Sequence, residues 1–131
     1  MGGRHVIVLD THAWVWFDAD DRLLSDVALD AIREADRIGV AAISVWEVGM
    51  LCSKGRLLAV PDVREWVNAA LSLDKVELLP LSPEIAVLST ELVLHGDPAD
   101  RIIVATAHVA SGQLVTKDDR IRQSGLVPCV W

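Results

Sequence analysis

Cysteine is scarce in this chain, basic charge is outnumbered, and no apolar run is long. Cys52 and Cys129 are the only cysteines in 131 residues. They form no metal-ligand spacing and read as two buried thiols, not as a disulfide framework or a placed nucleophile. His5, His12, His95 and His108 show no H-x-x-x-H or comparable spacing, so they read as ordinary core or surface residues and not as a histidine metal site. The 12 Lys and Arg face 19 Asp and Glu, a formal net charge of −7. That balance disfavours a non-specific nucleic-acid binder, which carries a basic footprint. It leaves room for an enzyme whose acids surround a cation, and it suits a basic protein partner. No stretch reaches the roughly 18 apolar residues of a membrane-spanning helix. No apolar leader with a small-residue cleavage site is visible. Met1-Gly2 lacks the Ser or Thr at position 6 of a myristoylation signal, where Val6 stands. A cytoplasmic protein with no membrane partner is expected. Repeats, low-complexity tracts and linkers are also missing, so residues 1–131 read as a single domain.

What the chain does have is apolar residues, 52% of the total with a mean hydropathy of +0.37. They must fill a core or an interface. Their pattern alternates between two kinds of segment. Residues 5–9 (HVIVL), 38–42, 76–79, 113–116 and 126–130 are short apolar runs that fit buried strands. Helical patterns separate them. Residues 11–17 suggest a short helix or turn, and 22–24 a connection. Ser25 caps a helix through about residue 37, with Val27, Ala28, Ala31, Ile32 and Ala35 on one face. Ser44 opens a helix over 45–54, stopped by Gly55. Asp62-x-x-Glu65 caps a helix through about residue 71. Ser82-Pro83-Glu84 starts a helix running to His95, with Gly96 as its stop. Asp97 caps and Pro98 begins a helix that is apolar nearly all round and ends at Ser111-Gly112. A further helix starts within 116–119. Buried strands separated by helices predict an α/β domain, a parallel sheet of about five strands with helices on both faces.

In such sheets, ligands bind beyond the carboxyl ends of the strands, so acids at those ends draw attention. Asp10 directly follows a strand; it either caps the next helix or is aimed into a cleft, with Thr11 beside it as a cap or a ligand contact. Glu47 has a rival role, because Ser44-Val45-Trp46-Glu47 fits a capping box. Asp100 falls in a first helical turn, where an acid also complements the helix dipole, and Arg101 reads as its simple ion-pair partner. In Thr116-Lys117-Asp118-Asp119, Thr116 reads as the cap with Asp119 three residues on. Asp118 then has no local task and is the better functional candidate.

Each acid is a weak signal alone, but their order is informative. VIVLD with Asp10, SVWE with Glu47, GDPADRIIVATA with Asp100, and LVTKD with Asp118 resemble the PIN-domain nucleases, most closely the VapC toxins of type II toxin–antitoxin pairs. The VPCVW ending is similar to the family's last strand. The likeness spans essentially the whole chain, and GDPADRIIVATA is its most specific part.

The resemblance implies a PIN-like α/β fold in which acids from distant segments meet. By that likeness Asp10, Glu47, Asp100 and Asp118 form a catalytic metal cluster. Asp10 and Asp100 are the direct ligands, and Glu47 and Asp118 complete the site directly or through water. Thr11 and Thr116 fit hydroxyl positions that orient the acids or the water. The implied cofactor is Mg²⁺, or Mn²⁺ in its place, since hard divalent ions take oxygen ligands. The implied activity is hydrolysis of RNA phosphodiester bonds. The implied partners are an RNA substrate, a cognate VapB-like antitoxin that lays a segment over the cleft, and a second copy in a homodimer, with a higher complex including the antitoxin. Lys54, Arg56, Arg101, Lys117, Arg120 and Arg122 read as solvated charges or phosphate contacts. Trp14, Trp16, Trp46 and Trp66 read as core or interface residues, with one of Trp14 and Trp16 free to meet a partner. Two other readings compete. One is a haloacid-dehalogenase-like phosphatase with Asp10 as nucleophile, against which His12 stands where a second Asp is needed. The other is a non-catalytic binding module on the same fold.

Overall fold

A computed structural model describes residues 5–57, 60 and 62–131. Residues 1 and 2, considered above as a lipidation site, lie outside the described residues. Five strands, β1 (Val6–Leu9), β2 (Arg37–Ala41), β3 (Val76–Leu79), β4 (Gln113–Val115) and β5 (Cys129–Val130), pair in the order β3-β2-β1-β4-β5. Every pairing is parallel. The helices are α1 (Thr11–Ala19), α2 (Asp26–Glu34), α3 (Ala42–Ser53), α4 (Val63–Leu71), α5 (Pro83–Glu91), α6 (Pro98–Val109) and α7 (Asp119–Ser124). The expected α/β architecture, a five-stranded parallel sheet between helices, is what forms. Among the described residues, no helix is long and apolar enough to cross a membrane.

The central strand explains the apolar run of residues 6–9: all four are buried, because β1 has a neighbour on each side and helices on both faces. Side chains alternate across the sheet. Ile7 and Leu9 pack with Trp14, Ile32, Val40, Val48 and Val115 on one face. Val8 packs with Ala41, Ile103, Val104, Leu114 and Ile121 on the other. The all-round apolar α6 lies over that second face, with Ala99, Ile103, Val104, Ala105 and Ala107 buried. At its end Gly112 is required by space: a Cβ there would stand 2.9 Å from the Val6 carbonyl oxygen.

Register aligns the carboxyl ends of the central strands. Leu9 is level with Val40 on β2 and with Val115 on β4. Asp10 and Thr116, one residue past this level, and Ala42 at the start of α3, two past it, therefore emerge near one another at the strands' carboxyl ends.

Several local expectations are corrected. α2 ends at Glu34, three residues early, and Val27 is 61% exposed instead of facing the core. α3 begins at Ala42, directly after β2, and no side chain caps it. Ser44 is thus inside the helix and the capping box does not form. α5 stops at Glu91, after which Leu92 is extended. The last strand is only Cys129–Val130. Both cysteines are free and half-buried.

Candidate active site

Asp10 directly follows β1 and caps α1, its Oδ1 accepting the Ala13 amide N–H at 2.8 Å. Both readings of this residue hold together, since the same carboxyl group also lines a cavity of about 380 Å³. Burial pushes its pKa up, and hydrogen bonds from Thr116 and Ala13 oppose the rise. The Thr116 hydroxyl does double duty, for it also accepts the Asp118 amide N–H at 3.1 Å. Thr116 is fully buried.

Glu47 reaches the same cavity from α3. The Thr11 hydroxyl donates to its carboxylate and lies 3.0 Å from the buried Ser44 Oγ. Thr11 and Ser44 are both buried. Ser44 and Glu47 are thus linked through Thr11, not through a cap. Burial raises the Glu47 pKa, the Thr11 hydrogen bond lowers it, and the negative charges of Asp100 and Asp97 raise it further.

Asp100 sits in the first turn of α6 beneath the Asp97 cap, whose Oδ1 accepts the Ala99 amide at 3.0 Å. Burial raises its pKa, the His95 hydrogen bond opposes this, and Asp97 adds to the rise. Arg101 does not pair with Asp100. Its guanidinium donates to the carbonyls of His95 and Leu94, at 3.1 and 3.3 Å.

Asp118 closes the cluster, but with a local task that the sequence reading denied it. It, not Thr116, caps α7, its Oδ1 accepting the Arg120 and Ile121 amides at 2.8 and 3.2 Å. One acceptor oxygen is occupied and the carboxylate still lines the cavity.

Asp10, Thr11, Glu47, Asp100 and Asp118 therefore share one cavity, drawn from segments spread over most of the chain. Asp97, His12, Trp16, Ile103 and Lys117 complete its wall. Of these, Asp97 was visible only as a cap and Trp16 only as a core or interface candidate. Trp16 is half-buried, while Trp14 is fully buried against Trp66, with ring centroids 4.6 Å apart. Trp46 is the outward tryptophan, 58% exposed. His95 was read only as an ordinary core or surface residue, because no metal-ligand spacing among the histidines singles it out. Its Nε2 instead lies 2.7 Å from Asp100 Oδ2. Among the described residues, His95, Asp100 and Asp118 place ligand-capable atoms within 4.8 Å of one another. Of the other cations, Lys117 reaches the cavity, whereas Lys54, Arg56, Arg120 and Arg122 are exposed.

The donor set fits a hard divalent cation. It is rich in carboxylate oxygen, and burial together with mutual repulsion raises three of the carboxyl pKa values, strain that a cation relieves.

Comparison with known proteins shows the family and the fold. The PIN domain family model matches residues 7–125. Ribonuclease VapC22 of Mycobacterium tuberculosis (strain ATCC 25618 / H37Rv) is 39% identical over 119 residues, covering 88% of this chain and 89% of the relative. Among solved structures, the fold is shared with a chain of VapBC2 from Rickettsia felis bound to a DNA fragment from their promoter, at a TM-score of 0.66 and 18% identity over 95% of this chain and 96% of that one. It is shared as well with a toxin–antitoxin complex from Klebsiella pneumoniae, at a TM-score of 0.65 and 19% identity over 92% and 94%. The chain belongs to the PIN-domain family, and to the VapC ribonucleases within it.

Proposed function

We propose that this protein is a divalent-metal-dependent endoribonuclease, the toxic component of a type II toxin–antitoxin pair. The observation that carries the reading is the meeting of Asp10, Glu47, Asp100 and Asp118 around one cavity at the carboxyl end of a parallel sheet. Kinship with Ribonuclease VapC22 supports RNA as the substrate.

Asp10 and Asp100 would hold the cation directly, and Glu47 and Asp118 would complete its surroundings directly or through water; Mg²⁺ or Mn²⁺ suits these oxygens. When bound, the cation supplies charge stabilisation to the phosphodiester and Lewis acidity toward water. The chain's own groups do the positioning. The Ala13 amide and Thr116 hydroxyl fix the Asp10 carboxylate, and Thr11 fixes Glu47. Lys117 on the rim is placed to meet a phosphate. Ile103 adds an apolar side chain to the lining.

The toxin role brings a partner. The Rickettsia and Klebsiella structures are of toxin–antitoxin complexes, which supports a cognate antitoxin that silences this chain by covering the acidic cleft. A net charge of −7 is complementary to a basic antitoxin segment. A homodimer, assembling further with antitoxin, is supported by outward apolar side chains such as Val87 and Val93, 60% and 90% exposed. The cytoplasm is the compartment that such a partner and an RNA substrate require.

The phosphatase alternative gains nothing, since His12 occupies the place of its second Asp. A non-catalytic module would have no need to keep these buried acids together at the electrostatic cost their raised pKa values reveal.

Purified protein incubated with RNA and Mg²⁺ tests the proposal. Cleavage is expected, with loss in EDTA and in both Asp10→Asn and Asp100→Asn. Cleavage that survives chelation, or that both variants retain, would refute the metal mechanism.

A further inference from the structure

His95 lies outside the set of acids, yet its imidazole meets the one at the heart of the site. Nε2 stands 2.7 Å from Asp100 Oδ2. The side chain is only 15% exposed, and Nδ1 is buried with no hydrogen-bond partner among the described residues. Because the Asp100 carboxylate accepts, this contact calls for the ring hydrogen on Nε2, which leaves Nδ1 as the unpartnered buried atom.

The backbone that carries His95 is itself held in place. α5 ends at Glu91 and the chain turns extended at Leu92, with φ −74° and ψ 135°. Arg101 Nε then donates to the His95 carbonyl at 3.1 Å, and Nη2 to the Leu94 carbonyl at 3.3 Å. The planar guanidinium fork can grip two successive carbonyls, which the single ammonium of a lysine does far less well. Arg101 is the neighbour of Asp100 on α6. One helical turn thus supplies both the carboxylate and the clamp on its partner.

We propose that His95, held by Arg101, is a positioning residue for Asp100: it donates Nε2–H to Oδ2 and so presents the carboxylate's remaining lone pairs to the catalytic cation. The inference rests on the nuclease reading of the site. It also gives the histidine and the arginine flanking D-P-A-D a physical task. The competing arrangement is His95 as a direct nitrogen ligand, which would favour borderline transition metals over Mg²⁺.

Mn²⁺ titration without RNA, followed by loss of the free-ion electron paramagnetic resonance signal, separates these. Wild type is compared with His95→Ala, His95→Gln, Arg101→Ala and the double variant His95→Ala/Arg101→Ala. Glutamine keeps an N–H donor. His95→Ala and Arg101→Ala are expected to weaken Mn²⁺ binding by about tenfold or more, as loss of an outer partner does, and His95→Gln by no more than about threefold. The double variant should be no weaker than the weaker single one. In RNA cleavage at saturating Mg²⁺, the His95→Ala loss should fall in kcat and leave KM unchanged. Wild-type Mn²⁺ affinity in His95→Ala overturns the proposal. Equal losses in His95→Gln and His95→Ala, with preference shifted toward Mg²⁺, overturn it in favour of direct coordination. Melting in EDTA checks folding; should Arg101→Ala not fold, the two His95 variants decide alone. A wild-type chain that binds no Mn²⁺ and cuts no RNA overturns the nuclease reading as well, whereas undiminished binding in His95→Ala overturns only the positioning role.

Discussion

The Thr11 hydroxyl donates to the Glu47 carboxylate across 36 residues of sequence, tying the first turn of α1 to the middle of α3. Thr11 is buried, so the bond is shielded from water. Thr11→Val keeps the shape and removes the donor. It should lose about 1–3 kcal/mol of stability, the cost of leaving a half-buried acceptor unpaired. Cleavage should fall more than binding of RNA. Chemical denaturation and steady-state kinetics on the same preparation check this.

The metal-free protein should become more stable on mild acidification. Asp10 and Asp100 have pKa values raised above an ordinary 3.8, and Glu47 above 4.5, burial being the first cause in each. Between the ordinary and raised values, the folded state binds more protons than the unfolded state. Stability therefore falls as pH rises through the raised values, and climbs as pH drops through them toward the ordinary ones. Melting in EDTA from pH 8 down to about pH 5 should show a rising midpoint. Mg²⁺ at pH 8 should raise it too, by relieving the same repulsion. A midpoint that is flat in EDTA and unmoved by Mg²⁺ contradicts the electrostatic picture.

Asp118 combines a helix cap with a place in the cavity, and two substitutions separate these roles. Asparagine caps nearly as well as aspartate, while alanine loses about 1 kcal/mol or somewhat more. Asp118→Asn should fold with near wild-type stability yet bind Mg²⁺ more weakly and cleave slowly. Asp118→Ala should show both the cleavage defect and a lower melting temperature.

Gly112 tests the packing that brings β4 beside β1. Its missing Cβ would stand 2.8 Å from Val6 Cγ1 and 2.9 Å from the Val6 carbonyl oxygen. Gly112→Ala should destabilise by about 1–3 kcal/mol, as overpacking does. Because a shifted β4 moves Thr116 away from Asp10, Mg²⁺ affinity should drop as well.

Much of this was legible in the residues. Buried strand runs and well-formed caps at Ser25, Asp62, Ser82 and Asp97 placed most elements correctly. The reading failed where a tertiary contact defeated a local signature. Ser44-x-x-Glu47 has the form of a capping box, but both side chains are engaged with Thr11 inside a helix that starts earlier. Gly96 marks a plausible helix stop, but Arg101 takes the carbonyls of Leu94 and His95 and the helix ends at Glu91. His95 was read as an ordinary residue for a different reason, since its partner Asp100 is met through tertiary folding and not through any histidine spacing. The order of the four acids pointed to one site, yet their convergence depends on β1 lying between β2 and β4, a pairing no local pattern states. Trp16, Asp97 and Lys117 join the cavity for the same reason.

The account's central claim is that residues far apart in sequence cage a divalent cation. Anomalous diffraction from a Mn²⁺-soaked crystal, recorded at the manganese edge, tests it most directly. The account predicts a manganese peak within about 2.5 Å of carboxylate oxygens of both Asp10 and Asp100, as oxygen ligation of a hard ion requires. A cavity without such a peak, or manganese bound only elsewhere on the surface, would contradict it.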